Sequence, residues 1–120
     1  MEARIFFCHG SRDPAWRAPF DRLVEDYQRR FPSQSVQLAF LELMSPTLPE
    51  ALEELVGAGH EAIRIYPVFL APGAHTQQDL PALVDAARQR WPGLQVSIAP
   101  TLLESPAIRV AVVDAIDPLQ

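Results

Sequence analysis

The sequence predicts an α/β fold: a four-stranded parallel sheet with helices on both faces, built as a single domain over residues 1–120. Two observations favour this class. Short apolar runs alternate along the chain with amphipathic stretches of helical period, and such alternation is typical of parallel sheets with right-handed crossovers. The length of 120 residues and the hydrophobic fraction of 48% suit one compact core, and no linker or low-complexity tract divides it.

The strands are predicted from apolar, β-rich runs. They cover residues 3–8, 35–41, 61–70 and 94–99. The third run contains Pro67, which lacks the N–H group that a sheet ladder needs. Regular pairing is therefore expected to end or bulge near that proline.

The helices are predicted from apolar residues at helical spacing and from capping signals. They cover about residues 16–31, 49–56, 77–90 and 106–116. Ser45 or Thr47 is the expected cap of the second helix, and Pro81 is expected in the first turn of the third. Ser105 followed by Pro106 predicts the start of the last helix, whose apolar face comprises Ile108, Val112 and Ile116.

Composition and charge exclude several classes of function. The formal net charge is −5, which gives no electrostatic reason to bind nucleic acid or an anionic membrane. No apolar run approaches the roughly 20 residues of a membrane span, and the first residues lack the pattern of a signal peptide. All basic residues are Arg, so lysine Schiff-base chemistry is excluded. A cytoplasmic protein is the expectation.

Polar residues that directly follow the strands mark the candidate site. Ligands of open parallel sheets bind beyond the carboxyl ends of the strands, where the strand order reverses. With a strand order of 2-1-3-4, His9 and His75 follow two neighbouring strands, the first and the third, and Glu42 follows the second. His60 precedes the third strand and falls at the opposite end.

The two histidines support a metal site, although their spacing forms no short metal motif. Two imidazoles with a carboxylate or water suit Co, Ni, Fe or Zn as divalent ions. Simpler roles stay open at this point. His9 can hydrogen-bond the backbone at a strand end, His75 can begin a helix, and Glu42 can cap the next helix or pair with an arginine. Cys8 is predicted to be a buried, inert thiol.

The segment that follows the first strand also has the features of an anion site. A Gly10–Ser11 turn that opens toward a helix can present backbone N–H groups to an anion, and Arg12 can bind a carboxylate or phosphate in bidentate fashion. A substrate that carries carboxylates around a metal-binding centre would use both functions.

Three segments together resemble a known family. HGSRDP follows the first strand, FLELMSPTLPEAL the second and YPVFLAPGAHTQQDLP the third. This pattern is similar to that of the small sirohydrochlorin cobaltochelatases, which are class II tetrapyrrole chelatases, and it extends over about residues 4–116. Members usually carry Ile where this chain has Leu80, which is a mild departure.

The resemblance implies a chelatase fold related to the flavodoxin-like sheets. It implies that His9 and His75 bind the incoming metal and accept pyrrole protons. Glu42, from its place after the second strand, is a candidate third ligand. Ser11, Arg12 and Gly73 are the expected substrate contacts.

The implied reaction is insertion of Co²⁺ into sirohydrochlorin, in cobalamin or sirohaem biosynthesis, by a homodimer without an organic cofactor. Fe²⁺ and Ni²⁺ insertion are sister activities that the motif does not separate. Two alternatives stay open: a non-catalytic metal- or tetrapyrrole-binding protein, and a phosphoryl-transfer enzyme that uses His9.

Overall fold

The sheet has the predicted class and strand order. A computed structural model describes residues 2–117, apart from the side chains of residues 74–77. Four parallel strands lie in the order β2-β1-β3-β4, where β1 is Glu2–Cys8, β2 is Ser35–Phe40, β3 is Ala62–Pro67 and β4 is Gln95–Ile98. The central strand β1 pairs with β2 on one side and with β3 on the other.

The strands end close to where the sequence predicted. Regular pairing in β3 stops at Pro67, as expected for a residue that cannot donate to the ladder, so the predicted run to residue 70 was too long. The strands β2 and β4 are each slightly shorter than predicted. This scatter is within the usual uncertainty of element boundaries.

The helices differ from the prediction mainly at their starts. They are α1 at Ala18–Arg30, α2 at Leu48–Gly57, α3 at Ala74–Arg90 and α4 at Pro106–Ile116. The predicted start near residue 16 was wrong, because Asp13 caps a separate 3-10 turn, Pro14–Arg17, before α1 begins. No helix in the described part of the chain is long and apolar enough to cross a membrane.

Capping side chains fix the start of α2. Thr47 rather than Ser45 is the cap: its hydroxyl accepts from the N–H of Glu50, and the Glu50 carboxylate accepts from the N–H of Thr47 at 2.8 Å. These hydrogen bonds lower the pKa of Glu50. The capping box places α2 directly after the loop that follows β2.

The third helix begins earlier than predicted. It starts at Ala74 rather than at residue 77, so Pro81 lies inside the helix instead of in its first turn. A proline at this position removes one backbone hydrogen bond from the helix. The early start brings the backbone of His75 into the first helical turn.

Two hydrophobic clusters cover the two faces of the sheet. The larger lies between the sheet and the helices α2 and α3, and it includes Ile5, Phe7 and Ile65. The smaller lies beneath α1 and includes Phe6, Cys8 and Phe40, with Trp16 and Tyr27 packed on them. Alternate residues of β1 therefore enter opposite clusters, as expected for a strand buried on both sides.

The last helix does not pack as the sequence predicted. Ser105 caps it and Pro106 begins it, as expected, but none of its residues is buried, and Ile116 is 78% exposed. The preceding 3-10 turn, Leu102–Glu104, determines this placement. Backbone N–H groups of Leu102 and Leu103 donate to the carbonyls of Phe69 and Leu70, both at 2.9 Å, so the turn that precedes α4 is attached to the segment that leaves β3.

The buried thiol of Cys8 provides a test of the core. Cys8 is fully buried, and burial raises its pKa from 9.0 to about 12, although Arg17 acts in the opposite direction. Since thiolate is the reactive form, we expect iodoacetamide to alkylate the native protein at pH 8 at least about a hundredfold more slowly than the urea-unfolded chain. Mass spectrometry of timed samples measures this ratio.

The same shift has a consequence for stability. Between pH 9 and about 12 the unfolded thiol loses its proton while the folded thiol keeps it, so the free energy of unfolding falls as the pH rises through this range. A Cys8→Ala variant is the control for other alkaline transitions. Equal alkylation rates in the folded and unfolded chains would contradict the burial of this side chain.

Candidate functional site

The carboxyl edge of the sheet carries the candidate site. The backbone N–H of Leu41 donates to the carbonyl of Cys8 at 2.8 Å, and that of Glu42 donates to the carbonyl of His9 at 3.1 Å. On the other side, the N–H of Val68 donates to the carbonyl of Phe7 at 2.8 Å. The chain leaving β1 is therefore held between the segments that leave β2 and β3.

A glycine makes the approach of the first two segments possible. Gly10 has φ of +101°, a conformation that residues with a Cβ rarely adopt. A Cβ atom at this position would lie 1.9 Å from the backbone carbonyl oxygen of Glu42. The contact is backbone against backbone, so no side chain could move aside for a larger residue. Gly10 therefore sets the distance between His9 and the β2 segment.

The side chain of His9 is exposed and oriented by an aromatic neighbour. Its imidazole stacks on the ring of Phe69, with 4.0 Å between the ring centroids and 25° between the planes. Phe69 is buried and also contacts Phe7 edge-on, with 5.7 Å between the ring centroids. This packing fixes the ring on which the imidazole stacks. Within the described residues, neither ring nitrogen of His9 has a hydrogen-bond partner. Both are thus available for a ligand or a proton.

His75 reaches the same edge through its backbone. It lies in the first turn of α3, which follows the loop leaving β3. Its side chain falls outside the described residues, so the predicted pairing of the two imidazoles stays a prediction. Gly73 is an exposed residue of the same loop, immediately before α3.

The segment after His9 contains both predicted anion-binding residues. The N–H of Asp13 donates to the hydroxyl of Ser11 at 3.1 Å, so that hydroxyl takes part in the local turn. The side chain of Arg12 is exposed, and it forms no ion pair with the charged residues that the structure describes. Arg12, three residues after His9 in the chain, is therefore an exposed cation without an ion pair among these residues.

Glu42 has neither of the simpler roles considered for it. Thr47 caps α2, and no arginine pairs with Glu42 in the described chain. Its side chain is exposed, while its backbone is bonded to His9. No group of three or more His, Cys, Asp or Glu side chains able to hold a metal occurs where side chains are described, a search that leaves out His75.

The side chains of Cys8 and His60 take no part in the candidate site. Cys8 is buried beneath α1, as predicted. His60 precedes β3 and lies at the opposite edge, where its Nδ1 atom is buried without a hydrogen-bond partner in the described residues.

Some residues of this edge were missed by the sequence analysis. Phe69 was counted as strand, and the exposed side chains of Leu43 and Leu70 were not singled out. The sequence carried one signal: after Pro67, Phe69 continues the alternation of the buried residues Ile63, Ile65 and Pro67. Its stacking on His9 depends on strand register, which a single sequence does not give.

The arrangement defines a class of protein: a doubly wound α/β domain with an exposed imidazole at the carboxyl edge of its sheet. Solved structures share this architecture. The structure resembles a cobalamin biosynthesis CbiX protein of Marinobacter aquaeolei with a TM-score of 0.87 and 26% identity, over 98% of this chain and 96% of that one.

A second solved structure is similar over half of its length. The sirohydrochlorin chelatase SirB of Bacillus subtilis, in complex with cobalt, aligns with a TM-score of 0.81 and 26% identity. The alignment covers 98% of this chain and 50% of that one.

The CbiX family model matches residues 3–119, and the chain belongs to that family. The resemblance seen in the sequence motifs is thereby confirmed. Among curated relatives, the sirohydrochlorin cobaltochelatase of Methanococcus maripaludis is 33% identical over 84 residues, which are 70% of this chain and 58% of that protein. The sirohydrochlorin ferrochelatase of Priestia megaterium is 29% identical over 80% of this chain and 36% of its own length. The chain thus spans less than two thirds of these relatives.

Replacement of Gly10 tests the close approach that shapes the site. We expect Gly10→Ala to lower the free energy of unfolding by about 2–4 kcal/mol, because the added Cβ meets a backbone oxygen and the positive φ becomes strained. Urea unfolding followed by circular dichroism measures the change. Gly57→Ala is the matched control, since its Cβ would meet nothing within 4 Å. Equal stabilities of the two variants would contradict the contact.

Proposed function

We propose that this protein is a tetrapyrrole metal chelatase that inserts a divalent metal, Co²⁺ first among the candidates, into sirohydrochlorin. The observation that carries the proposal is His9: an exposed imidazole, stacked on Phe69 at the carboxyl edge of the sheet, in a chain of the CbiX family. Relatives named cobaltochelatase and ferrochelatase support the reaction class and leave Fe²⁺ as an alternative substrate.

The chemistry of insertion explains why imidazole suits this edge. A divalent ion that enters the macrocycle displaces two pyrrole N–H protons, so the site needs a group that can ligate a metal and accept protons. Neutral imidazole does both. We propose His9 and His75 for these roles, with Glu42 as a candidate third ligand. The metal is the substrate of the reaction, and no organic cofactor takes part.

The charged periphery of the substrate would be bound beside the imidazole. Sirohydrochlorin carries several carboxylates, and Arg12 is an exposed guanidinium near His9 in a chain of net charge −5. A bidentate contact from Arg12 to one carboxylate would orient the macrocycle. Ser11 and Gly73 complete the proposed substrate contacts, through the turn after β1 and the loop before α3.

We further propose that the active form is a cytoplasmic homodimer. The support for a second copy is α4, which carries Val110, Val113 and Ile116 at 60%, 62% and 78% exposure and extends from the edge that bears His9. The molecule is elongated, with a longest dimension of 50 Å. A second copy against this apolar face would remove the three side chains from water.

Histidine variants test the proposed chemistry. We expect His9→Ala and His75→Ala each to lower the rate of Co²⁺ insertion into sirohydrochlorin by at least about a hundredfold, because each would lose a ligand and a proton acceptor. His60→Ala, at the opposite edge, is the control and should keep the wild-type rate. The absorbance change on metal insertion gives the rate after subtraction of the protein-free reaction.

The outcomes separate the candidate functions. Full activity in both His9→Ala and His75→Ala would overturn the roles proposed for these two histidines. Stoichiometric binding of Co²⁺ or sirohydrochlorin by the wild-type protein without rate enhancement would indicate a binding protein instead. Phosphate-ester turnover that depends on His9 would indicate the phosphoryl-transfer alternative.

A charge on α4 tests the proposed dimer. We expect the wild-type protein to sediment as a dimer at micromolar concentration, and Val113→Glu to shift it to monomer, because a buried unpaired carboxylate disfavours the interface. Gln28→Glu, an exposed position on α1, is the control for added charge. A wild-type monomer at all concentrations, or an unchanged dimer in Val113→Glu, would contradict this surface.

A further inference from the structure

Leu43 combines an exposed side chain with an unfavourable backbone conformation. Its side chain is 55% exposed, and its φ of 69° lies in the left-handed region. This conformation is unfavourable for a residue with a Cβ, and it is normally occupied by Gly or Asn. An exposed leucine gains nothing from burial that would offset this cost. Fold stability alone therefore gives no reason for a leucine here.

Packing and hydrogen bonds before and after Leu43 impose this backbone conformation. Leu41 packs against the cluster beneath α2 and α3, whereas Met44 packs against the cluster beneath α1. Between them, the N–H of Glu42 donates to the carbonyl of His9, and outside them the N–H of Phe40 donates to the carbonyl of Pro46 at 2.9 Å. The segment crosses the edge of the sheet from one cluster to the other, and Leu43 lies on the crossing.

The position of Leu43 relative to His9 follows from the strand pairing. Glu42, the residue before it, is hydrogen-bonded to the backbone of His9. On the opposite flank, Phe69 stacks on His9, and the next residue, Leu70, is 60% exposed. Since neighbouring strands are about 4.8 Å apart, the segments that carry the two leucines leave the sheet about 10 Å apart, with His9 between them.

We propose that Leu43 is a substrate-positioning residue, whose side chain packs against the apolar face of the tetrapyrrole and holds the macrocycle over the His9 imidazole. The inference rests on the proposed chelatase function and extends it to a residue that supplies apolar contact alone. Its chemistry complements that of Arg12, which would bind the carboxylates at the rim of the same substrate. Strained backbone at an exposed apolar residue is typical of functional sites.

The test compares three replacements that separate the side chain from the backbone. Leu43→Gly removes the side chain and suits the positive φ, Leu43→Asn suits the φ but is polar, and Leu43→Met keeps an apolar side chain. We expect the Kd for metal-free sirohydrochlorin, from absorbance titration, to rise about five- to tenfold in the Gly and Asn variants. The Met variant should stay within about twofold of wild type. Leu23→Asn, at an exposed leucine of α1, is the control and should bind as wild type.

The melting temperature of Leu43→Gly distinguishes a substrate-positioning role of Leu43 from a structural one. The melting temperature of Leu43→Gly should equal or exceed that of the wild type, because the strain is relieved, while its binding is weakened. When the insertion rate is measured over a range of sirohydrochlorin concentrations, kcat should change less than KM. A fall in melting temperature with unchanged Kd would overturn the proposal and make Leu43 a structural residue.

Three further outcomes are distinguishable. Loss of the dimer in Leu43→Gly, measured by sedimentation, with unchanged binding would mean that a second copy covers this side chain, which also overturns the proposal. Absence of sirohydrochlorin binding and insertion in the wild-type protein would instead overturn the chelatase function itself. Wild-type activity with equal Kd in all Leu43 variants would overturn only the role of Leu43.

Discussion

The central strand β1 is the constraint on which the rest of the structure depends. It forms parallel ladders with both β2 and β3, and its alternate residues enter opposite hydrophobic clusters. A shift of one residue in its register would exchange the two faces, bringing Phe6 and Cys8 under α2 and α3. Burial on both sides thus fixes the register of β1. It also fixes the point where the chain leaves the sheet, at His9.

The candidate site is assembled from segments that leave three neighbouring strands at one level. Backbone hydrogen bonds from Glu42 and Val68 hold the flanking segments against β1, and Gly10 permits the approach. The imidazole is therefore positioned by the backbone below it and by the Phe69 ring beside it. Backbone pairing at the edge of the sheet, rather than a long loop, places the side chain of His9. The proposed metal insertion needs such accurate placement.

Much of this arrangement was predictable from sequence, because periodicity and capping are local properties. The strands, the Ser105 cap and the end of β3 at Pro67 all follow from residues close in the chain. The exposed face of α4 was not predictable, since an apolar stripe does not specify what covers it. The stacking of His9 on Phe69 and the positive φ of Leu43 likewise arise from tertiary packing. The sequence analysis also missed the 3-10 turn before α1, where Asp13 caps Pro14–Arg17 and the helix begins only at Ala18.

Phe69 belongs to two parts of the molecule at once. Its ring supports the imidazole of His9, while its backbone carbonyl accepts the hydrogen bond that sets the turn before α4. Phe7 holds the same ring from the core side. A displacement of Phe69 would therefore change both the orientation of the imidazole and the turn from which α4 begins. The position of Phe69 thus links the start of α4 to the orientation of the His9 imidazole.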